Sequence, residues 1–238
     1  MIALILGSGP NVIESQGWPR APFDRVVAIN NAWRVRPDWD DLIFPEDFPD
    51  ENRPATLSKG QRLIEADRFV PAQNRLGGFV YAGGTMAFTA GYWALDALRP
   101  RVMAFLGCDM VYGGSRTHFY GTGTADPLRP DITLRSLEAK SARLMAVAAR
   151  QGCAVVNLSR AESRLVFPRA TPDALTGLRP LAGDPHAVRR ALDREQAAGY
   201  MAPSGRYWEE AERFDTRVID EIDALWLRTL ASPAEAAV

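Results

Sequence analysis

Cysteine and histidine are scarce in this 238-residue sequence: there are two of each, Cys108 and Cys153, His118 and His186. Both cysteines sit in apolar runs that read as buried strands, which favours small core residues in a reducing compartment over a disulfide or a metal pair. Also missing is any uninterrupted apolar run of about 18 residues, the length a membrane-spanning helix needs. Residues 1–7 are apolar but carry no basic leader and run straight into a turn, so they read as a first strand and not as a signal peptide. A soluble, cytoplasmic chain is expected. Excess charge is lacking as well, with 28 basic against 29 acidic residues and a net charge of -1. That balance argues against duplex nucleic acid or an anionic membrane as the main partner. There is no internal repeat, no low-complexity tract, no Walker loop, no nucleophile elbow and no stacking pattern for single-stranded nucleic acid. No His, Cys and carboxylate cluster occurs at ligand spacing, so no metal site and no resident cofactor are expected; magnesium would enter only with a nucleotide.

What is present is a 47% hydrophobic composition, enough to bury a sizeable core in one large domain. Short apolar runs rich in β-branched residues recur at 2–6, 25–30, 41–44, 78–81, 101–106 and 154–158. Segments 84–98 and 134–150 between them have helical spacing; in the second, Leu134, Leu137, Leu144, Val147 and Ala148 share a face and Gly152 follows as a stop. This alternation predicts an α/β fold: a Rossmann-like parallel sheet with helices on both faces, joined by right-handed crossovers. Residues 1–183 form the expected nucleotide-binding domain and 184–238 a helical extension of two stretches separated near Pro203 and Gly205. In the second stretch, Ala211, Phe214, Val218, Ile222, Leu225 and Trp226 make an apolar stripe, read as a helix packed on the domain or on a second copy of the chain. A peripheral membrane contact is the sharper reading, and the acids flanking the stripe oppose it. Residues 232–238 are expected to fray.

Five places could carry chemistry. The run Leu4-Ile5-Leu6-Gly7-Ser8-Gly9-Pro10-Asn11 joins a strand, a glycine turn and a short helix, which suits a phosphate at the helix N-terminus or a purely structural tight turn. Val12 stands where the dinucleotide fingerprint has its third glycine, so a routine NAD site is not expected. After the second strand come Asn30 and Asn31, whose amides suit a ribose or a base edge, or only shape the turn. After the third, Asp47 either accepts from a sugar hydroxyl or caps the next segment. Gly83-Gly84-Thr85 opens a long helix, a second terminus with free N–H groups and the Thr85 hydroxyl as an extra donor. The segment after the fifth strand is a long loop carrying Asp109, Tyr112, Arg116, His118, Tyr120 and Arg129. An acid, an imidazole and phenolic donors are the parts needed to deprotonate a hydroxyl and receive a phosphate leaving group. A lone loop histidine is equally often non-catalytic, and His186, beside Pro185 at a helix start, reads as structural.

Taken together, Leu6-Gly7-Ser8-Gly9-Pro10, Ile29-Asn30-Asn31, Gly83-Gly84-Thr85, Leu106-Gly107-Cys108-Asp109-Met110-Val111-Tyr112 and Asn157-Leu158-Ser159 resemble two related groups. These are the bacterial lipooligosaccharide sialyltransferases and the archaeal-type hydroxymethylpterin diphosphokinase-like proteins, and the resemblance spans roughly residues 1–170. The first resemblance implies that Gly7, Gly9, Asn30, Gly83 and Gly84 hold a cytidine nucleotide sugar, and that Tyr112, displaced by one residue from the family position, stabilises the leaving phosphate. It implies a histidine base well downstream of that tyrosine; the candidate here is His118, six residues on. The function expected is an inverting, metal-independent glycosyltransferase with a nucleotide-sugar donor and a hydroxyl-bearing acceptor. Two alternatives stand beside it: a diphosphokinase using ATP and magnesium, and a non-catalytic nucleotide-binding protein.

Overall fold

Six strands, β1 (Ile2–Leu6), β2 (Arg25–Ile29), β3 (Asp41–Ile43), β4 (Arg62–Ile64), β5 (Val102–Leu106) and β6 (Ala154–Asn157), form one parallel sheet in the order β4-β3-β2-β1-β5-β6. The computed structural model describes residues 1–112, 117–122 and 130–230. Strands β1 and β5 are buried at every residue, as parallel strands covered on both faces must be, and they pair in register from Ile2 with Val102 to Leu6 with Leu106. The α/β Rossmann-like architecture is therefore present. The chain winds outward from β1 to β4, then returns to lay β5 and β6 on the other side of β1, so the sheet has its topological switch point between β1 and β5.

The two faces are covered unequally. Ile5, Val27, Ile29, Ile43 and Ile64 face a core built with α1 (Ala66–Arg75), α2 (Phe79–Ala82), α3 (Met86–Ala97), α4 (Leu137–Arg150), α5 (Pro185–Ala198) and α6 (Thr216–Arg228). Leu4, Leu6, Val26, Ala28, Leu42, Val102, Ala104 and Val156 face a second core that contains no residue of an α-helix. Its cover comes from 3₁₀ segments and loops, including Val12, Ala32, Val35, Trp39 and Leu175. Right-handed crossovers explain the split, because connections that step in opposite directions along the sheet lie on opposite faces. The outward steps are short and carry 3₁₀ turns at Pro10–Gly17, Asn30–Arg34 and Asp50–Asn52, while the return steps carry α1 to α4. The expected helices on both faces thus become α-helices on one face and 3₁₀ turns on the other.

Two elements correct the sequence reading. Of residues 78–81, expected as a strand, 79–81 lie in the helical turn α2, which Gly78 precedes at φ 83° and whose four residues are all buried. The strand in that part of the sheet is β4, three residues at the edge, whose Arg62 pairs with the buried Asp41 of β3. The extension belongs to the same core as the sheet: Phe214, Ile219, Ile222 and Trp226 are buried against it. Two buried ion pairs fasten it. Arg143 of α4 donates to both Glu195 oxygens at 2.7 and 2.8 Å and to the Tyr92 hydroxyl at 2.7 Å, while Trp226 Nε1 donates to Glu195 Oε1 at 2.7 Å. Lys140 Nζ donates to Asp223 Oδ1 at 2.6 Å, and burial holds the Asp223 carboxyl above its ordinary range despite the ammonium beside it. The stripe is therefore covered within the chain, by α4 and α5. Both cysteines are free and buried. Residues 232–238 lie outside the described residues.

Candidate functional site

The carboxyl ends of β1 and β5 meet at the switch point, where open α/β sheets bind their ligands. A cavity of about 240 Å³ lies there, lined by Ser8, Gly9, Asn11, Asp109, Tyr112 and His118 among others. The glycines of the first turn let two backbones approach each other: Gly7 N–H donates to Leu106 O and Gly9 N–H to Gly107 O, both at 2.8 Å. A Cβ on Gly7 would overlap the Gly107 carbonyl oxygen and lie 2.6 Å from Cys108 Sγ. The segment after the turn is a 3₁₀ helix with Pro10 in its first turn. Ser8 remains: its Oγ is buried with no hydrogen-bond partner. Gly107 at φ 72° and Met110 at φ 55° bend the chain sharply on the β5 side, with Asp109 between them lining the cavity and Cys108 buried in the core.

Asp109 organises the far wall. Its Oδ2 accepts from Asn11 Nδ2 at 2.8 Å and its Oδ1 from Asn157 Nδ2 at 2.9 Å, with Arg169 at 3.9 Å. Asn11 also donates to Ser159 Oγ at 2.6 Å, and Asn157 to Ser163 Oγ at 3.0 Å. One carboxylate thus ties the ends of β1, β5 and β6 together. Residues 117–122 close over the turn, with Phe119 N–H donating to Ser8 O at 3.0 Å. His118 and Gly121 exchange backbone hydrogen bonds at 2.9 and 3.1 Å, a tight reversal that sets the imidazole facing the cavity. His118 is 9% exposed; its ring has Thr117 Oγ1 at 2.9 Å from Nδ1, stacks on Tyr120 at 5.0 Å and lies 6.1 Å from the Tyr112 ring. Tyr120 is itself half exposed. Arg116 and Arg129 lie outside the described residues.

Next along the sheet edge, Asn30 sits at φ 51°, a conformation asparagine tolerates, and opens the 3₁₀ turn Asn30–Arg34. The Oδ1 atoms of Asn30 and Asn31 are buried without hydrogen-bond partners, and neither residue lines the cavity at Ser8. At the second glycine turn, Gly84 N–H donates to Thr133 Oγ1 at 2.8 Å. A Cβ on Gly84 would overlap the Tyr207 hydroxyl, and one on Gly83, at φ 88°, would lie 3.0 Å from Lys140 Cγ. Thr85 is buried and its hydroxyl oxygen caps α3 by accepting Phe88 N–H at 3.3 Å. The expectation of free N–H groups at both glycine turns is therefore corrected at Gly9 and Gly84, whose donors are spent inside the protein. Ser8, Tyr112 and His118 line the cavity at this edge.

A larger cavity, about 560 Å³, lies at the carboxyl end of β3. Asp47 is at its rim, exposed, and not in a helix cap. Its opposite wall comes from the extension, including Arg206, Tyr207 and Trp208. Tyr207 O–H donates to Asp131 Oδ2 at 2.6 Å, and Asp131 Oδ1 accepts from both the N–H and the hydroxyl of Thr133 at 2.7 Å. His186 stands at the start of α5, with its N–H donating to Asp184 Oδ1 at 3.0 Å. Sequence reasoning did not select Asn11, Ser163, Arg169, Asp131 or the wall at 204–208. Asn11 closed the first motif and Asn157-Leu158-Ser159 were part of the resemblance, but nothing local signals that they converge on Asp109. Among the described residues, no three His, Cys, Asp or Glu side chains gather as a metal site, and no helix is long and apolar enough to cross a membrane. Neither protein-family models, curated proteins nor solved structures give a match to this chain.

Proposed function

We propose that the chain is an inverting, metal-independent glycosyltransferase of the sialyltransferase-like kind, with a cytidine-activated sugar as donor. The observation that carries this reading is the convergence of His118, Tyr112 and Asp109 on the glycine turn at the switch point of the sheet, beside the unmet Ser8 hydroxyl. The donor phosphate would lie against Ser8, with the Asn30 and Asn31 amides toward the nucleoside. An acceptor hydroxyl attacks the anomeric carbon, forming the new C–O bond as the bond to the phosphate oxygen breaks and its electron pair passes to the nucleotide. His118 takes the hydroxyl proton, and the phenols of Tyr112 and Tyr120 donate to the departing phosphate. Asp109 positions Asn11 and Asn157 and does not touch the reacting atoms.

The first test is a thermal-shift screen against cytidine, uridine, guanosine and adenosine nucleotides, with and without magnesium. A ligand at 100 times its dissociation constant stabilises by about 2.7 kcal/mol, a rise of roughly 5–10 °C at this chain length. A magnesium-independent shift with cytidine nucleotides supports the transferase, and a magnesium-dependent shift with ATP alone overturns it in favour of phosphoryl transfer. His118→Ala should lower turnover by about 10²- to 10⁴-fold while nucleotide affinity stays within about twofold. Equal loss of both would remove His118 as the base.

A further inference from the structure

We infer that a cavity at the β4 edge of the sheet is a ligand site apart from the switch point, and that it takes a phosphate group. Its volume of about 380 Å³ is in the range of small-molecule sites, and it lies between the edge strand β4, one face of α1 and the last turn of α3. Leu63, Ile64 and Trp93 give it apolar surface, and Arg62, Arg68, Arg75 and one carboxylate, Asp96, give it charge. Arg62 is the first residue of β4 and pairs in register with Asp41, the first of β3, which sets the cavity at the amino ends of the strands. The switch-point cavity is at their carboxyl ends. Helix α3, 12 residues and so about 18 Å long, separates the Gly83-Gly84-Thr85 turn from this end.

The three arginines keep donors in reserve. Arg62 spends Nε and Nη2 on one oxygen of Asp41, at 2.8 and 2.7 Å, and that wholly buried carboxylate is shared with Arg25 at 2.7 Å. Arg75 spends Nε and Nη2 on Asp96, at 3.0 and 2.7 Å. Each of these guanidinium groups is held along one edge, and its Nη1 has no partner among the described residues. Arg68 stands two helical turns before Arg75 on the same face of α1; it is exposed, and its guanidinium has no partner among the described residues. Glu65 and Asp67, in the first turn of α1, are exposed and do not line the cavity. The C-terminal end of α3 opposes an anion by about half a charge, less than the full charge that Arg68 leaves unpaired.

The number of free donors selects phosphate over carboxylate. A carboxylate brings two oxygens and one charge, the part that Asp41 and Asp96 already play here. A phosphate, free or as a monoester, brings at least three terminal oxygens and a charge of about −1.5 to −2, enough to bridge the two free Nη1 edges and Arg68. Two of the three side chains are already held by their carboxylates, so closing on the anion orders only Arg68 and the entropic cost stays small.

The test is calorimetric titration of the full chain at low ionic strength with inorganic phosphate, glycerol 3-phosphate and acetate. It is repeated on Arg68→Ala, on Arg68→Glu and, as a control for net charge, on Arg190→Ala, an exposed arginine of α5 that does not line this cavity. Both substituted positions are exposed, so folding should be unaffected, and circular dichroism checks it. At least one phosphate probe should bind about tenfold or more tighter than acetate; R68A should weaken it about tenfold, R68E should abolish it, and R190A should leave it within about twofold. No phosphate binding, acetate as tight as the phosphates, or equal weakening by R190A and R68A would each overturn the inference. Binding untouched by R68A would overturn it too, since a phosphate seated at the switch point behaves that way. The tighter of the two phosphate probes names the source, the free ion or a phosphorylated small molecule.

Discussion

If Gly7 is glycine because two strand ends must touch, Gly7→Ala should damage the protein in the absence of any ligand. The added methyl would overlap the Gly107 carbonyl oxygen and lie 2.6 Å from Cys108 Sγ. It cannot be relieved by a rotamer change, since the oxygen belongs to backbone that accepts Gly9 N–H at 2.8 Å and sits beside the fully buried Leu6 and Leu106. Overpacking of this sort costs about 3 kcal/mol or more. For a chain of this length that corresponds to a fall in Tm of roughly 6–12 °C, a large part of the usual 5–15 kcal/mol of stability. The internal control is Gly17→Ala, where a Cβ meets nothing within 4 Å and the backbone is not left-handed. It should be neutral or stabilising by about 0.4–1 kcal/mol, through a smaller unfolded-state entropy. Urea unfolding of both variants, with unchanged m-values, is the assay. A glycine kept only to admit a phosphate would give a ligand-free Gly7→Ala protein within about 0.5 kcal/mol of the parent, and that result would refute the reasoning.

Two further outcomes follow from the interior. Arg143→Met strands the buried Glu195 carboxylate with Trp226 Nε1 as its remaining side-chain donor among the described residues, and should cost about 3–5 kcal/mol in urea unfolding; adding Glu195→Met should recover part of the loss, and a double variant no better than the single one would contradict the pairing. Burial pushes the Cys153 thiol up to about 12 from 9.0, which lowers its thiolate fraction at pH 8 about a thousandfold, and burial with the Asp109 charge raises Cys108 as well. Because the folded values are raised, their contribution to stability is complete below the unfolded thiol range and is lost only as pH climbs through the folded values. An aromatic disulfide reagent at pH 8 should therefore leave both thiols untouched in the native protein and titrate both in urea; fast reaction of either without denaturant would show the burial to be wrong.

How much of this could be read from the sequence depends on how local the cause is. The strands at 2–6, 25–30, 101–106 and 154–158 announce themselves because β-branched runs flanked by turn residues are a local signal, and the structure trims them by a residue or less at either end. Residues 78–81 misled because a four-residue apolar run buried on all sides has no periodicity to separate strand from helix. Helix α1 was hidden by Pro71 inside it, and β4 by its length of three residues with a charged edge position. At the site, Gly-x-Gly located the switch point but not the reason for its glycines, which lies in Gly107, a hundred residues on. The Asp109 cluster joins partners 98 and 48 residues apart, and the second cavity joins β3 to residues 204–208; such contacts follow from the winding of the sheet and leave no mark in any local window.

The unequal covering of the sheet also sets the order in which the chain can fold as it is made. Strands β1 to β4 emerge first, and their own connectors supply the cover for one face. The other face, with Ile5, Val27, Ile29, Ile43 and Ile64, waits for helices that all follow β4, and the free edge of β1 waits for β5. A ribosome-bound intermediate of about the first quarter of the chain is therefore a half-sheet with a wet apolar face and an unpaired edge, the two surfaces on which chains stick to one another. The nascent protein gains its protection only when α3 has crossed back and β5 has docked, so crowding and temperature during synthesis should govern its yield more than the stability of the finished fold.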